Sequence, residues 1–399
     1  MSNRDVIILS TADWDNPFWT NKQHVASQLA SRGHRVLYIE SLGLRRPSAS
    51  KADLKRILFR AWKGVRPPRN VSTNLWVWSP VVLPFHGNPV VRLINRVSLR
   101  LGLSFWSTIR NISVSRAIFW TYSPLTTSFF DLSSFSSVVY HCVDEVKAQP
   151  GMPVGEIERR ELELVRSSDV VFVTSRSLER SRLIENRNTY YFSNVADYDH
   201  FSRARLASTI VPPDIKGVGR PVIGFVGAIS GYKMDFGLVA EVARLQPDWS
   251  FVLIGKVGEG DPWTDVSALK GLPNVHLIGP KPYRELPAYM KGMDVAMLPC
   301  AINEYTAGMF PMKFFEYLSA GLPVVSTPLE ALSEYSDVVR FAADPISFVR
   351  AIEGCLTERL NSDFERRVEG VARQHTYEVR MDRMMERFHS VVGGGTEVS

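Results

Sequence analysis

Residues 303–329, NEYTAGMFPMKFFEYLSAGLPVVSTPL, compress a loop, a helix and a buried strand into one segment. Pro311 suits the first helical position, where its missing N–H costs nothing, and Gly321 stands where a helix closes in a left-handed cap. Phe314, Phe315 and Leu318 form the apolar stripe, and Lys313 and Glu316, three residues apart, share a face. Close to a helix N-terminus, whose free N–H groups and dipole favour an anion, Lys313 is placed to neutralise a diphosphate. The Glu316 carboxylate is placed to accept hydrogen bonds from a ribose diol. An amphipathic helix with a solvated Lys–Glu pair, followed by the strand Val324-Val325-Ser326, satisfies the same pattern.

Outward from this segment the chain alternates strand and helix. Upstream lie strand-like runs at 222–228, 250–255, 274–279 and 294–299, with helical stretches at 235–245 and 284–293 between them. A first half shows the same winding, with strands expected at 6–11, 35–40, 117–122, 136–144, 169–175 and 189–194. Such alternation predicts parallel sheets covered on both faces. The expected organisation is α/β, with a first domain over 1–203, a Pro- and Gly-containing linker over 204–219 and a second domain over 220–375. A final helix, about 376–392, is expected to pack back on the first domain.

At 399 residues the chain is long for one core and suits two domains of roughly 200 residues each. No apolar run approaches the roughly 18 residues needed to span a bilayer, and the opening MSNRDVIILSTADWDN reads as a first strand rather than a leader. Cys142, Cys300 and Cys355 are too few and too scattered for a disulfide framework or a zinc site. A cytoplasmic protein with three free thiols and no metal is expected. The loop STADWDNPFW after the first strand has no glycine, which disfavours a dinucleotide cofactor.

The net charge of +6 is unevenly placed. Residues 45–69 carry nine Lys or Arg and a single acid, Asp53, among Leu54, Ile57, Leu58, Phe59 and Trp62. In VVRLINRVSLRLGLSFW, Arg92, Arg96 and Arg100 recur at helical spacing among aliphatic residues. Both segments suit an anionic membrane surface, each basic side chain contributing about 1 kcal/mol there. The second also fits a core-facing helix with a solvated basic face. No nucleic-acid motif accompanies the charge, so nucleic acid is not an expected partner.

Two Rossmann-like halves, a glycine turn after the first strand of the second half, and the 303–327 motif together resemble the GT-B glycosyltransferases of family 4, or group 1. The resemblance covers nearly the whole chain and includes GHRVLYIE, SNVADYDHF and LPNVHLIGPKPYRELPAYMKGMDVAMLP. It implies two doubly wound domains facing each other across a cleft, a nucleotide diphosphate sugar as donor, with UDP favoured, and a glycan or polyprenol-linked acceptor. It also implies that Glu316 holds the ribose and Lys313 meets the diphosphate, with Met312 beside them. The family pattern carries another Glu eight residues before the ribose carboxylate, where this chain has Gly308. Asn303, Glu304 and Thr306 are the nearby polar replacements. Gly227, Ala228 and Lys233, after the first strand of the second half, are further donor candidates through backbone N–H groups and charge.

Ligands in open α/β sheets bind beyond the carboxyl ends of the strands. In the first half that rule selects the loop with Asp13, Trp14 and Asp15, followed by Trp19 and His24, and the strand end with His141 and Asp144. Carboxylates there suit sugar hydroxyls, and aromatic rings suit a sugar face. VVYHCVDEV is similar in placement to a segment of an inverting xanthan-pathway glucuronosyltransferase, which implies Asp144 as general base. From the loop after the first strand, Asp13 is the other candidate catalytic carboxylate. Asp144 as a turn or capping residue, and His141 as a core histidine, fit the same positions. A nucleotide-sugar 2-epimerase and a non-catalytic glycan-binding protein are the rival classes.

Overall fold

The protein is described from a computed structural model covering residues 3–16, 19–42, 67–83, 88–359 and 361–393. Its chain divides into two compact units, residues 1–192 with 381–399, and residues 193–380. The segment expected as a linker, 204–219, lies inside the second unit, where Ala204 and Ile215 are buried. The basic run 45–69 falls outside the described residues except for its last three.

The first unit is built on an eight-stranded sheet in the order β3-β4-β2-β1-β5-β6-β7-β8. Its strands are β1 (Asp5–Leu9), β2 (Arg35–Ile39), β3 (Arg69–Ser72), β4 (Leu75–Trp78), β5 (Ile118–Thr121), β6 (Ser137–Cys142), β7 (Val170–Val173) and β8 (Thr189–Tyr191). All pairs are parallel except β3 with β4. That hairpin was not expected: RNVS is too polar to read as a strand, and the turn rests on Asn74 in the left-handed conformation, φ 62. Strands β1, β6 and β7 are short, mostly β-branched or aromatic runs buried at every residue, as the interior of a parallel sheet requires.

Helices α1 (Asn21–Ser31), α2 (Pro89–Ile109), α3 (Val154–Ser167) and α4 (Arg176–Leu183) accompany this sheet. Val25, Ala26 and Leu29 of α1 share one core cluster with Met381, Met384, Met385 and Phe388 from the final helix of the chain. Leu99 and Leu103 of α2 and Ile157 of α3 belong to the cluster containing Ile7, Leu9 and Phe119.

Helix α2 begins on the Asn88 side chain, which accepts from the N–H groups of Val90 and Val91, and on Pro89 in its first turn. It is anchored where the Asn95 amide makes two bonds to the Leu83 backbone, 2.8 and 2.9 Å. Its buried residues are only Asn95, Leu99, Leu103 and Ser107. The opposite side is apolar too and faces outward: Val90, Leu93, Ile94, Val97, Leu101 and Phe105 are all exposed, Leu101 by 66%. The expected alternative of one core face and one basic face is therefore replaced by two apolar faces with arginines at their border. Among the described residues no helix is long and apolar enough to cross a membrane.

The second unit holds a six-stranded, fully parallel sheet in the order β11-β10-β9-β12-β13-β14. Its strands are β9 (Val222–Val226), β10 (Ser250–Ile254), β11 (Val275–Leu277), β12 (Val295–Leu298), β13 (Val324–Ser326) and β14 (Val339–Phe341). The last strand escaped sequence reading because three residues, one of them Arg340, carry no period. Helices α5 (Phe236–Leu245), α6 (Lys313–Ser319) and α7 (Pro345–Glu358) flank it, and α5 and α7 supply Leu238, Val242, Phe348 and Ile352 to one core. Strand order reverses between β1 and β5 in the first sheet and between β9 and β12 in the second, and at such points the loops beyond the strands part to leave a crevice.

Candidate functional site

In the second unit the switch point is lined by the loops after β9 and β12. The chain leaves β9 through Gly227, whose N–H bonds to Ile254 O at 2.9 Å, while β10 leaves through Gly255. A β-carbon at Gly255 would lie 1.7 Å from the carbonyl oxygen of Gly227, so only glycine permits the two turns to pass. Beyond them the loop over 229–234 is stitched to the end of β12: Ala301 N–H bonds to Lys233 O at 3.0 Å, and Asn303 Nδ2 to Tyr232 O at 2.9 Å.

Lys233 lies over the rings of Tyr232 and Tyr305, 5.3 and 5.4 Å from their centroids, so its ammonium is steered by two π faces instead of waving in solvent. Asn303 and Thr306 form a capping box: Thr306 N–H bonds to Asn303 Oδ1 and Asn303 N–H to Thr306 Oγ1, both at 3.0 Å. The Thr306 hydroxyl also donates to Ala301 O at 2.6 Å. The structure thus assigns these two side chains to shaping the loop.

Helix α6 starts at Lys313, two residues later than expected from Pro311, with Met312 half-buried in the turn before it. It ends as the sequence predicts. Gly321 has φ +81, Gly321 N–H bonds to Leu318 O and Leu322 N–H to Tyr317 O, both at 3.0 Å, which is a Schellman closure. Phe315 stacks on Phe310 and on His375, seating the helix in an aromatic cluster that includes Phe314 and Tyr335. Tyr317 accepts the Val226 N–H at 2.8 Å, pinning α6 to the last residue of β9 and so to the Gly227 turn. No sequence signal marked that tyrosine, because its partner is far away in the chain.

Lys313 Nζ donates to Glu316 Oε2 at 2.7 Å. Glu316 is only 3% exposed, and burial raises its carboxyl above the ordinary value, opposed by Lys313 and reinforced by Asp197. The solvated Lys–Glu pair is thereby set aside: this carboxylate is buried and its ammonium half-exposed. A buried carboxylate held against one cation can accept hydroxyl hydrogen bonds while the lysine turns to an anion.

In the first unit, Asp144 follows β6 at the carboxyl edge and is half-buried. Its neighbour Glu145 is tied down by a network that sequence reading missed. Arg182 of α4 makes two bonds to Glu145, 2.7 and 2.9 Å, and one to Glu161 at 2.9 Å, and Tyr140 donates to Glu161 at 2.6 Å. The thiol of Cys142 reaches Glu161 as well, and its burial pushes the thiol pKa up. Only long-range packing joins these five residues, three of them on β6 and its exit. The network fixes the loop that carries Asp144.

Several candidates of the first unit turn inward. His141 is fully buried between Trp120, Tyr122 and Phe172, on the sheet face opposite Tyr140 and Cys142, which corrects its expected acceptor role. Trp14 is likewise in the core, edge-on to Trp19 and Tyr38, with its backbone N–H donating to Glu40 Oε1 at 2.8 Å, so its ring is not offered to a sugar. His24 is buried edge-on to Trp19, 5.3 Å away. Asp15 is exposed and paired with Arg69. Asp13 and Trp19 stay half-buried in the loop beyond β1, the former bridged through its carbonyl to Gln23. Of the catalytic and acceptor candidates in this unit, Asp13, Asp15, Trp19 and Asp144 keep exposed surface in the loops beyond β1 and β6.

Residues 220–358 match the family described as Glycosyl transferases group 1. Over 292 residues, 68% of this chain and 71% of the relative, the sequence is 26% identical to a putative teichuronic acid biosynthesis glycosyltransferase, TuaH, of Bacillus subtilis. Among solved structures, the trehalose 6-phosphate synthase of Burkholderia multivorans superposes with a TM-score of 0.67 at 13% identity, covering 99% of this chain and 100% of that one. The HepE protein of Anabaena, solved with UDP and glucose, gives 0.63 at 15% identity over 96% and 99% of the two chains. These likenesses show the fold, GT-B, and the match to the group 1 model lies wholly within the second unit.

Proposed function

We propose that this chain is a group 1 glycosyltransferase on the GT-B fold and transfers a sugar from a nucleotide diphosphate donor, UDP-linked, to a hydroxyl of a glycan or lipid-linked acceptor in polysaccharide assembly. One observation carries the reading: Lys313 and the buried Glu316 sit together on α6, which Tyr317 pins to the strand end at the switch point of the second sheet. Glu316 takes the ribose hydroxyls, and Lys313 compensates the charge that grows on the leaving diphosphate as the glycosidic bond breaks. Lys233, steered by Tyr232 and Tyr305, adds positive charge at the same edge. The donor name of the HepE complex and the pathway name of TuaH support the choice of nucleotide and context.

On the acceptor side, Asp144 removes the proton of the attacking hydroxyl, and inversion at the anomeric carbon follows. Two lysines in place of a cation make the transfer independent of divalent metal. The chain works at the cytoplasmic face of a membrane, held by the outward side of α2. A screen of nucleotide sugars for thermal stabilisation, followed by transfer assays with and without EDTA, tests the reading. Stabilisation by UDP or a UDP-sugar is expected, and an enzyme silent towards every nucleotide diphosphate would refute it. Release of UDP without any acceptor, with epimerised sugar as product, would place the chain among the epimerases instead.

A further inference from the structure

We propose that a pocket between the first two turns of α2 and the loop after β5 binds the phosphate of an anionic phospholipid headgroup, while the outward apolar stripe of α2 lies in the same leaflet. The proposal rests on the membrane-surface reading above and specifies how the surface is recognised.

The cavity measures about 280 Å³ and is lined by Arg92, Arg96, Arg160, Leu93, Thr127 and Ser128. It lies below the usual size of a drug- or nucleotide-sized site and suits a headgroup. Three arginines line it, and a guanidinium is suited to paired hydrogen bonds with phosphate oxygens. Arg96 is oriented by a bond to Thr127 O at 3.2 Å, and Arg160 by one to Glu163 at 2.7 Å. Arg92 has Glu156 at 3.7 Å, beyond hydrogen-bond reach. Among the described residues, Arg160 Nε and the hydroxyl of Ser128, a residue only 6% exposed, have no hydrogen-bond partner. Buried donors without acceptors are costly, so each of these side chains gains by turning toward an oxygen offered in the cavity.

The apolar stripe selects the source of that phosphate. Leu93 lines the pocket and also belongs to the outward row with Val97, Leu101 and Phe105, so a headgroup seated there directs its acyl chains along the row. The helix contains no acidic residue, and its charges are Arg92, Arg96 and Arg100. Residues 45–69, with nine basic side chains against one acid, carry charge of the same sign, which also complements an anionic leaflet.

The test is sedimentation of the full-length protein with vesicles of phosphatidylcholine, alone or with one third phosphatidylglycerol, at about physiological salt. Retention is expected only on the mixed vesicles. Arg160→Gln should weaken it at least twentyfold, the scale of a lost charge-assisted bond, against about fivefold for Arg100→Gln, the same charge change outside the pocket. Ser128→Ala should weaken it about threefold yet leave or slightly raise the lipid-free Tm, since an unpartnered buried hydroxyl is removed. A purely structural serine would lower that Tm and spare binding, which overturns the assignment. So do equal losses for Arg100 and Arg160, which mean diffuse charge, and equal retention on neutral vesicles. Displacement by glycerol 3-phosphate that survives Leu101→Ser with Phe105→Ser would assign a soluble anion instead. A lipid-free dimer dissolved by those two changes would assign the face to a second copy. UDP stabilisation is followed in every variant: its presence certifies folding, and its absence in the unaltered protein would sink the donor reading while leaving the vesicle result intact.

Discussion

Lys313 Nζ and Glu316 Oε2 lie 2.7 Å apart, with the lysine half-exposed and the carboxylate buried. The asymmetry makes the pair a site more than a brace. Burial raises the Glu316 carboxyl above its ordinary 4.5 despite Lys313. A raised carboxyl stabilises the native state fully below its unfolded value and loses that contribution as pH rises through the folded one. At neutral pH the ionised group is therefore a net burden. Glu316→Gln should raise the Tm by about 2–4 °C at pH 7, with the difference vanishing near pH 4, while UDP protection is lost. Calorimetry across that range, with and without UDP, checks both signs.

Lys313→Met removes the charge and keeps the stem. UDP should bind about 10- to 100-fold more weakly, the scale of one charge-assisted bond, while uridine alone should be little affected. Titration calorimetry with the two ligands separates a diphosphate contact from a general loss of structure.

Asp144→Asn preserves shape and removes the base. Transfer should fall by about two to four orders of magnitude with UDP affinity unchanged. Equal transfer by the variant would exclude a general base at this position.

Arg182 is shared by Glu145 and Glu161 in the interior of the first unit. Arg182→Met strands two buried carboxylates and should cost about 3–5 kcal/mol in urea unfolding. Adding Glu145→Gln and Glu161→Gln should recover most of that loss. Failure to recover would mean that the network acts through shape and not charge.

Gly255→Ala places a methyl group 1.7 Å from Gly227 O. Backbone must move, so the variant should lose about 3 kcal/mol or more and also lose UDP protection, because the displaced turn carries Gly227. A variant with native stability would mean that the turns are free to separate.

What the sequence by itself determined is local. Apolar strands alternating with helices announced two wound parallel sheets, because a strand buried on both faces has to be a continuous apolar run. Lys313 and Glu316 were legible because residues three apart on a helix are neighbours whatever the rest of the chain does, and Gly321 because only glycine adopts a left-handed cap without cost. Only tertiary structure decided which of the marked residues face a ligand. His141 and Trp14 look functional in their loops and strands, yet their side chains are drawn into the core, since strand alternation leaves open which face is the interior. The depth of Glu316, the Tyr317 anchor on Val226, the Arg182 network and the second apolar face of α2 all depend on residues brought together from distant parts of the chain. Periodicity records neighbours along one element, whereas burial and charge pairing are set by the elements packed against it.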